Sequence, residues 1–152
     1  MENDFLYLIG YKKHKWSMAG KTGLLTCVNG HICLRNSKAE RIVDAEIARL
    51  KIKSAGWLGT SRVGDYLVFA PTESDISKKL KPFREVIEEF VDSHSKDLSC
   101  FKQLAYYESS GLDKAIVSIV GLVKSGFSQV AIGKEIQQSL VSAKVAAEGR
   151  RS

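Results

Sequence analysis

The sequence predicts an α+β protein in which a bent antiparallel β-barrel or sandwich is capped by a helix and followed by C-terminal helices. The first half of the 152-residue chain consists of short apolar runs separated by turn residues, a pattern typical of antiparallel sheets. Beyond residue 80, apolar residues recur at every third or fourth position, which is the period of an amphipathic helix. The length suits one compact domain with a substantial core, or a small domain plus a helical extension.

The opening segments predict a first strand over 5–11 and then a β-hairpin. The first strand reads FLYLIGY, and the hairpin reads GLLTCVNGHICLR. Asn29-Gly30 separates two apolar runs in the hairpin, and this dipeptide favours a tight turn because both of its residues tolerate positive φ. The sequence therefore predicts strand, turn and strand up to about residue 35.

Gly20-Lys21-Thr22 matches the end of a phosphate-binding loop, G-x-x-x-x-G-K-[ST]. The first glycine of that loop would stand at position 15, where the chain has Lys15. The loop should also open a helix whose N-terminal amides bind phosphate, whereas β-forming residues follow here. We interpret Gly20–Thr22 as the turn that begins a strand.

The segment 40–54 is predicted to be a strand because its apolar and basic residues alternate from Ala48 to Lys53. Helix is the competing interpretation, since Glu, Ala, Arg and Leu are good helix formers. Gly64-Asp65 then marks a tight turn before a strand over 66–69, and Pro71 ends that strand.

An amphipathic helix is predicted at about 78–93, with Pro82 in its first turn. Its apolar face consists of Leu80, Phe83, Val86, Ile87, Phe90 and Val91. Acidic residues lie mostly on the other face, and we interpret them as a solvated surface.

The C-terminal third also has helical periodicity, with its last apolar stripe at Val130, Ile132, Ile136, Leu140 and Val145. These helices would pack on the β-domain or on a second copy of the chain, or form an amphipathic hairpin that contacts a membrane or a partner. The stretch GFSQVAIGKEIQQSL faintly resembles the first helix of a helix-turn-helix, with the turn at 137–139. Few residues after it could contact base edges.

The order of strands and helix resembles the pleckstrin-homology-like (PH-like) superfamily, including its GRAM-type and bacterial members. The segments that carry the resemblance are GLLTCVNGHICLR, AEIARLKIKS, GDYLVFAP and FREVIEEFVD. The resemblance implies a PH-like domain over 1–95, whose helix at about 78–93 plugs one end of a bent barrel, and a helical extension over 96–152. Lipid-binding members tend to carry a basic signature across the first hairpin, but here the basic residues precede that turn.

The charge predicts anionic partners, since the net charge is +6 and the pI is about 9.2. The candidate ligand- or membrane-binding residues are basic side chains near the first hairpin and one aromatic among them: Lys12, Lys13, Lys15, Trp16, Lys21, Arg35, Lys38 and Arg41. Lysines near an acidic membrane contribute about 1 kcal/mol each. The functional hypothesis is a non-catalytic module that recruits the chain to an anionic lipid surface or to a protein partner.

Other classes of function are less favoured. Nucleic acid is the alternative partner, through the basic C-terminal helices, and the same helices could join copies of the chain into a homo-oligomer. We expect no enzyme activity, cofactor or metal, because the chain has no G-x-S-x-G, H-E-x-x-H or zinc-type cysteine spacing. Cys27 and Cys33 fall on paired strands, where their thiols could approach each other as reduced, buried groups.

The expected location is the cytoplasm, with peripheral membrane association as an option. The apolar start at 5–11 follows acidic residues, unlike a signal peptide. The longest apolar run, 115–123, spans about nine residues, whereas a bilayer core requires about 20.

Overall fold

The computed structural model describes residues 3–13, 20–54, 59–70, 81–93 and 129–151. These residues form a seven-stranded antiparallel sheet curled into a half-barrel, with a C-terminal helix and a shorter second helix. The strands are β1 Phe5–Lys12, β2 Lys21–Val28, β3 His31–Arg35, β4 Arg41–Glu46, β5 Ile52–Ser54, β6 Ser61–Val63 and β7 Tyr66–Phe69. The α+β class predicted from the sequence is confirmed at this level.

The first strand lies at the centre of the sheet. The strand order is β4-β3-β2-β1-β7-β6-β5, so β1 joins two consecutive meanders. Leu8 pairs with Leu24 of β2, and Tyr11 pairs with Val68 of β7. The two meanders therefore share one continuous hydrogen-bonded sheet.

Both predicted tight turns are present. Asn29 and Gly30 have φ values of 52° and 78°, and Val28 pairs with His31 across the turn. Asp4, which is buried, accepts a hydrogen bond of 2.8 Å from the Asn29 amide at the same turn. Gly64 has φ 61° between β6 and β7. These positive φ values explain why Asn and Gly are needed there.

The strand predicted through 40–54 is interrupted by a corner. A 3-10 turn, Ile47–Arg49, separates β4 from β5, the outer strands at opposite edges of the sheet. Ile47 is fully buried, and its amide donates to the Gly30 carbonyl over 2.8 Å. The alternation of Ala48, Arg49 and Leu50 is therefore not that of a strand, and the segment contains no α-helix either.

A long helix, α2 (Gln129–Arg151), covers the inner face of the curled sheet. Its buried residues Ile136, Leu140 and Ala143 belong to one core cluster with alternate residues of the strands. The strand members are drawn from both halves of the sheet and include Phe5, Tyr7, Ile9, Leu25, Ile32, Leu34, Val63 and Val68. A helix that packs with strands from both halves must lie inside the curl.

The preceding helix, α1 (Arg84–Ser93), lies on the other face and follows a 3-10 turn, Lys81–Phe83. Its Phe90 borders the same space as Thr26 and Val28, which alternate along β2 with the core residues Leu25 and Cys27. Phe83 and Ile87 are fully buried.

The helix predicted at about 78–93 is present, and its role as a cap of the barrel stays a prediction. The amphipathic helix begins at Arg84, and its Phe90 borders the outer side of β2, whereas α2 packs inside the curl. Residues 78–80 lie outside the described part of the chain.

The C-terminal helix also corrects two sequence interpretations. Residues 137–139 lie within the continuous helix α2, so the turn required by the helix-turn-helix interpretation does not exist. Ile136 and Leu140 are buried as predicted, but Val145 is 62% exposed and Ala143 occupies the core instead. The other predicted helical residues, 96–128, lie outside the described ranges.

Two close contacts fix α2 against the sheet. Gly59 has φ 80°, and a Cβ atom there would lie 2.7 Å from the carbonyl carbon of Gly133, so only glycine permits this approach. Lys144 Nζ donates to the backbone oxygens of the corner 47–50, over 3.1 Å to Ile47, 3.1 Å to Ala48 and 2.6 Å to Leu50. The helix thereby satisfies carbonyl groups that the corner leaves free of the sheet ladder.

Candidate functional site

Six of the eight candidate residues gather at one end of strands β1–β4. We call these residues the basic end: Lys12, Lys13, Lys21, Arg35, Lys38 and Arg41. In an antiparallel sheet, the last residues of β1 and β3 lie at the same end as the first residues of β2 and β4. Lys15 and Trp16 belong to the same stretch of sequence but lie outside the described residues.

The strand register gives the basic end its width. Tyr11, next to Lys12, pairs with Lys21, and Arg35 pairs with Leu24 of β2 and Arg41 of β4. Neighbouring strands lie about 4.8 Å apart, so four strand ends span about 14 Å. Since Leu24 lies three residues beyond Lys21, the end is staggered by about 10 Å along the strands.

Small residues and one aromatic ring position the lysines of β1 and β2. The ring of Phe69 occupies the space beside Gly10 and Gly20 that a Cβ atom would fill at either position. Lys12 Nζ lies 5.9 Å from the centre of the same ring, within the range of a cation–π contact. Phe69 therefore holds the end of β1 beside the start of β2.

A short loop presents Lys38 to solvent. Asn36 Oδ1 accepts hydrogen bonds from the amides of Lys38 and Glu40, over 2.9 and 3.0 Å. The Ala39 amide donates to the Asn36 carbonyl over 2.9 Å, and Ala39 has φ 62°. This asparagine-nucleated loop fixes the backbone around an exposed cation.

The charge of Arg41 is balanced locally by a carboxylate on the same strand. Its Nη1 lies 3.3 Å from Asp44 Oδ2, and His31 Nε2 contacts Asp44 Oδ1. The hydrogen bond to His31 and the electrostatic attraction to it, followed by the hydrogen bond and charge of Arg41, hold the pKa of Asp44 below its ordinary value of 3.8. The positive charge of Arg41 is therefore partly offset by Asp44.

Arg35 differs from the other members because part of its side chain is buried. It borders a cleft between β2, β3 and α1, and its Nε atom is buried without a hydrogen-bond partner within the described ranges. Lys13, Lys21 and Lys38 are exposed, and Lys12 is partly so. These four lysines and Arg41 are thus the solvent-accessible cations of the basic end.

The cysteines do not form a reactive pair, which corrects the suggestion that their thiols approach each other. Cys27 pairs with Ile32 and belongs to the inner core, whereas Cys33 pairs with Thr26, whose side chain borders the cleft on the outer face. Burial raises the pKa of the Cys33 thiol, which disfavours the nucleophilic thiolate. Within the described residues, no group of three or more His, Cys, Asp and Glu side chains could hold a metal ion.

Sequence reasoning missed the cleft at Arg35 and the anchoring role of Lys144. The residue types gave no signal for either, because both depend on which helix lies on which face of the sheet.

None of the helices that the structure describes combines the length and apolar character needed to cross a bilayer.

Comparisons of this chain with protein families, with curated proteins and with solved structures found no match.

Proposed function

We propose that the chain is a non-catalytic binding module whose basic end docks on an anionic membrane surface. The observation that carries this proposal is the collection of Lys12, Lys13, Lys21 and Lys38 at one end of the sheet. Strands and an asparagine-nucleated loop hold their backbones, and long lysine side chains can reach a layer of headgroups.

The electrostatics favour an extended anionic layer over one compact ligand. The lysines come from three separate chain segments, and their strand ends are spread over more than one strand spacing. At about 1 kcal/mol each, four lysines supply about 4 kcal/mol near an acidic membrane, which corresponds to about a thousandfold enrichment. Lys15 and Trp16, which lie between Lys13 and Lys21 in sequence, would add a cation and an aromatic suited to the interface.

The PH-like resemblance is part of the same proposal. A curled antiparallel sheet that holds a C-terminal helix is compatible with it. In this interpretation α2 takes the position that the sequence assigned to 78–93, and α1 is an addition on the outer face.

Vesicle co-sedimentation tests the proposal. The full chain should bind vesicles of phosphatidylcholine with about one-third phosphatidylserine, bind neutral vesicles far less, and lose affinity as salt is raised, since screening weakens such attraction. The variant Lys12→Glu plus Lys13→Glu should bind acidic vesicles at least about tenfold more weakly, because it removes two attractive charges and adds two repulsive ones.

The matched control is Lys81→Glu plus Lys134→Glu, which changes the net charge equally at exposed positions outside the sheet, in the turn before α1 and on α2. It should retain most of the binding. Equal losses in both variants would point to net charge alone and contradict a role for the basic end. Absence of vesicle binding at low salt would overturn membrane docking, and binding to an acidic protein or to duplex DNA would then need its own test.

A further inference from the structure

A half-open cleft lies between α1 and the outer face of the sheet, and none of the four lysines of the basic end lines it. Its volume is about 160 Å³. An apolar cavity of about 150 Å³ can hold a benzene molecule, so the cleft suits a compact organic group. Thr26 and Val28 of β2 form one side, and Val86 and Phe90 of α1 form the other.

The polar side chain best placed to bind a ligand in the cleft is that of Arg35. Its Nε atom is buried and has no hydrogen-bond partner within the part of the chain that the structure describes. A buried donor without an acceptor is costly, and a guanidinium group keeps its charge at every pH that the protein experiences. A carboxylate that entered the cleft could accept from Nε and from the adjacent Nη in the paired geometry that arginine favours.

The other polar side chains are less available to a ligand. Thr26 Oγ1 lies 3.5 Å from the Cys33 carbonyl oxygen, and Ser93 Oγ donates to the Glu89 carbonyl over 2.9 Å. Glu89 is exposed at the border of the cleft and adds a negative charge there. It would repel phosphates and dicarboxylates more strongly than a single carboxylate.

We propose that this cleft is a binding site for a small monocarboxylate with a compact apolar group. Arg35 binds the carboxylate, and Val28, Val86 and Phe90 contact the apolar group. This site is independent of membrane docking, because it uses none of the four lysines and lies between α1 and the sheet.

Methyl-detected NMR of the full chain tests the proposal, with 3-methylbutanoate as the probe and 3-methylbutanamide as its neutral counterpart. The acid should produce saturable shifts at the Val28 and Val86 methyl groups, and the amide should bind about tenfold more weakly because it lacks the charge. Absence of saturable shifts at both valines, or equal affinity for acid and amide, would overturn the site.

Three variants separate the roles of the charged residues. Arg35→Met should weaken binding about tenfold or more, and Glu89→Gln should strengthen it by removing a repulsive charge. Arg41→Met, a neighbouring arginine that is exposed, is the control and should leave the affinity unchanged.

Thermal melts identify the variants that fold. Should Arg35→Met not fold, Arg35→Lys replaces it, since lysine keeps the charge but cannot form the paired contact and should still weaken binding. A folded Arg35 variant with wild-type affinity, or a Glu89→Gln variant with weaker binding, would contradict the assignment.

Discussion

Asp44 shows how single residues set the electrostatics beside the basic end. Asp44 lies opposite Cys33 in the β3–β4 ladder and diagonal to His31. Its carboxylate therefore contacts both the His31 imidazole and the Arg41 guanidinium. One exposed carboxylate therefore partners two basic side chains. Because of this pairing, the candidate site depends mainly on lysines. The sequence alone did not distinguish Arg35 and Arg41 from Lys38.

The first prediction concerns the titration of Asp44. Because its pKa in the folded protein is below 3.8, chiefly through the His31 hydrogen bond, the interaction stabilises the fold above about pH 4. That contribution should disappear as the pH falls through the lower, folded-state pKa. Carbon-detected NMR of the side-chain carboxyl should give a midpoint below 3.8 in the wild type.

Two variants check the cause of this shift. His31→Ala should return the midpoint toward 3.8, and Arg41→Ala should move it less, because the His31 hydrogen bond is the larger cause. A larger change in Arg41→Ala than in His31→Ala would show that the guanidinium controls this carboxylate instead.

At the scale of elements, the corner between β4 and β5 depends on the helix that covers it. A 3-10 turn cannot continue the sheet ladder, so the carbonyl groups of Ala48 and Leu50 need other donors, while that of Ile47 already accepts from the Leu50 amide over 3.1 Å. The ammonium group of Lys144 supplies them from α2, across 94 to 97 residues of sequence. The corner and the helix therefore stabilise each other.

The second prediction is that Lys144→Met destabilises the protein by about 1–3 kcal/mol, since three carbonyl groups lose a charged donor while the aliphatic packing remains. Urea denaturation at neutral pH measures the change. Lys134→Met on the same helix is the control, because Lys134 is exposed, and its effect should stay within about 0.5 kcal/mol. Equal effects of the two substitutions would mean that the corner does not need the ammonium group.

Local signals in the sequence predicted local structure. Asn29-Gly30 and Gly64-Asp65 specified their turns because positive φ depends on the residue itself. The amphipathic pattern around Ile87 predicted a helix but not which face of the sheet it covers, since both faces of β1 and β2 are buried. A strand without polar alternation carries no such directional information.

The same limit applied to the corner and to the candidate site. The pattern at 48–53 fits a strand, and only the burial of Ile47 against distant residues shows why the chain turns there. The basic end could be anticipated from sequence, because the end of one antiparallel strand lies beside the start of the next. The cleft at Arg35 depends on the packing of α1 against the sheet, which residue spacing does not encode.

At the scale of the whole molecule, one sheet is covered on both faces. Along β1, Tyr7 and Ile9 belong to the inner core with α2, while Leu6 and Leu8 alternate with them and are also fully buried. The central strand β1 thus hydrogen-bonds to both meanders within the sheet, and its two faces contribute to two different apolar layers. Loss of the inner layer should destabilise the whole sheet, because the core cluster includes residues from both meanders.

The third prediction tests this dependence with two residues of α2 that differ mainly in burial. Leu140 is fully buried and Val145 is 62% exposed. Leu140→Ala should lower the free energy of unfolding by about 2–5 kcal/mol, since it leaves a cavity between the helix and the sheet. Val145→Ala should change it by less than about 0.5 kcal/mol.

Urea unfolding followed by far-ultraviolet circular dichroism and by tyrosine absorbance measures both variants. The two signals should give one coincident transition, because the helix and the sheet share a core and unfold together. An early transition confined to the helical signal would mean that α2 unfolds without the sheet. Equal stability of the two variants would place Leu140 outside the core, and the half-barrel would then need another element to fill its inner face.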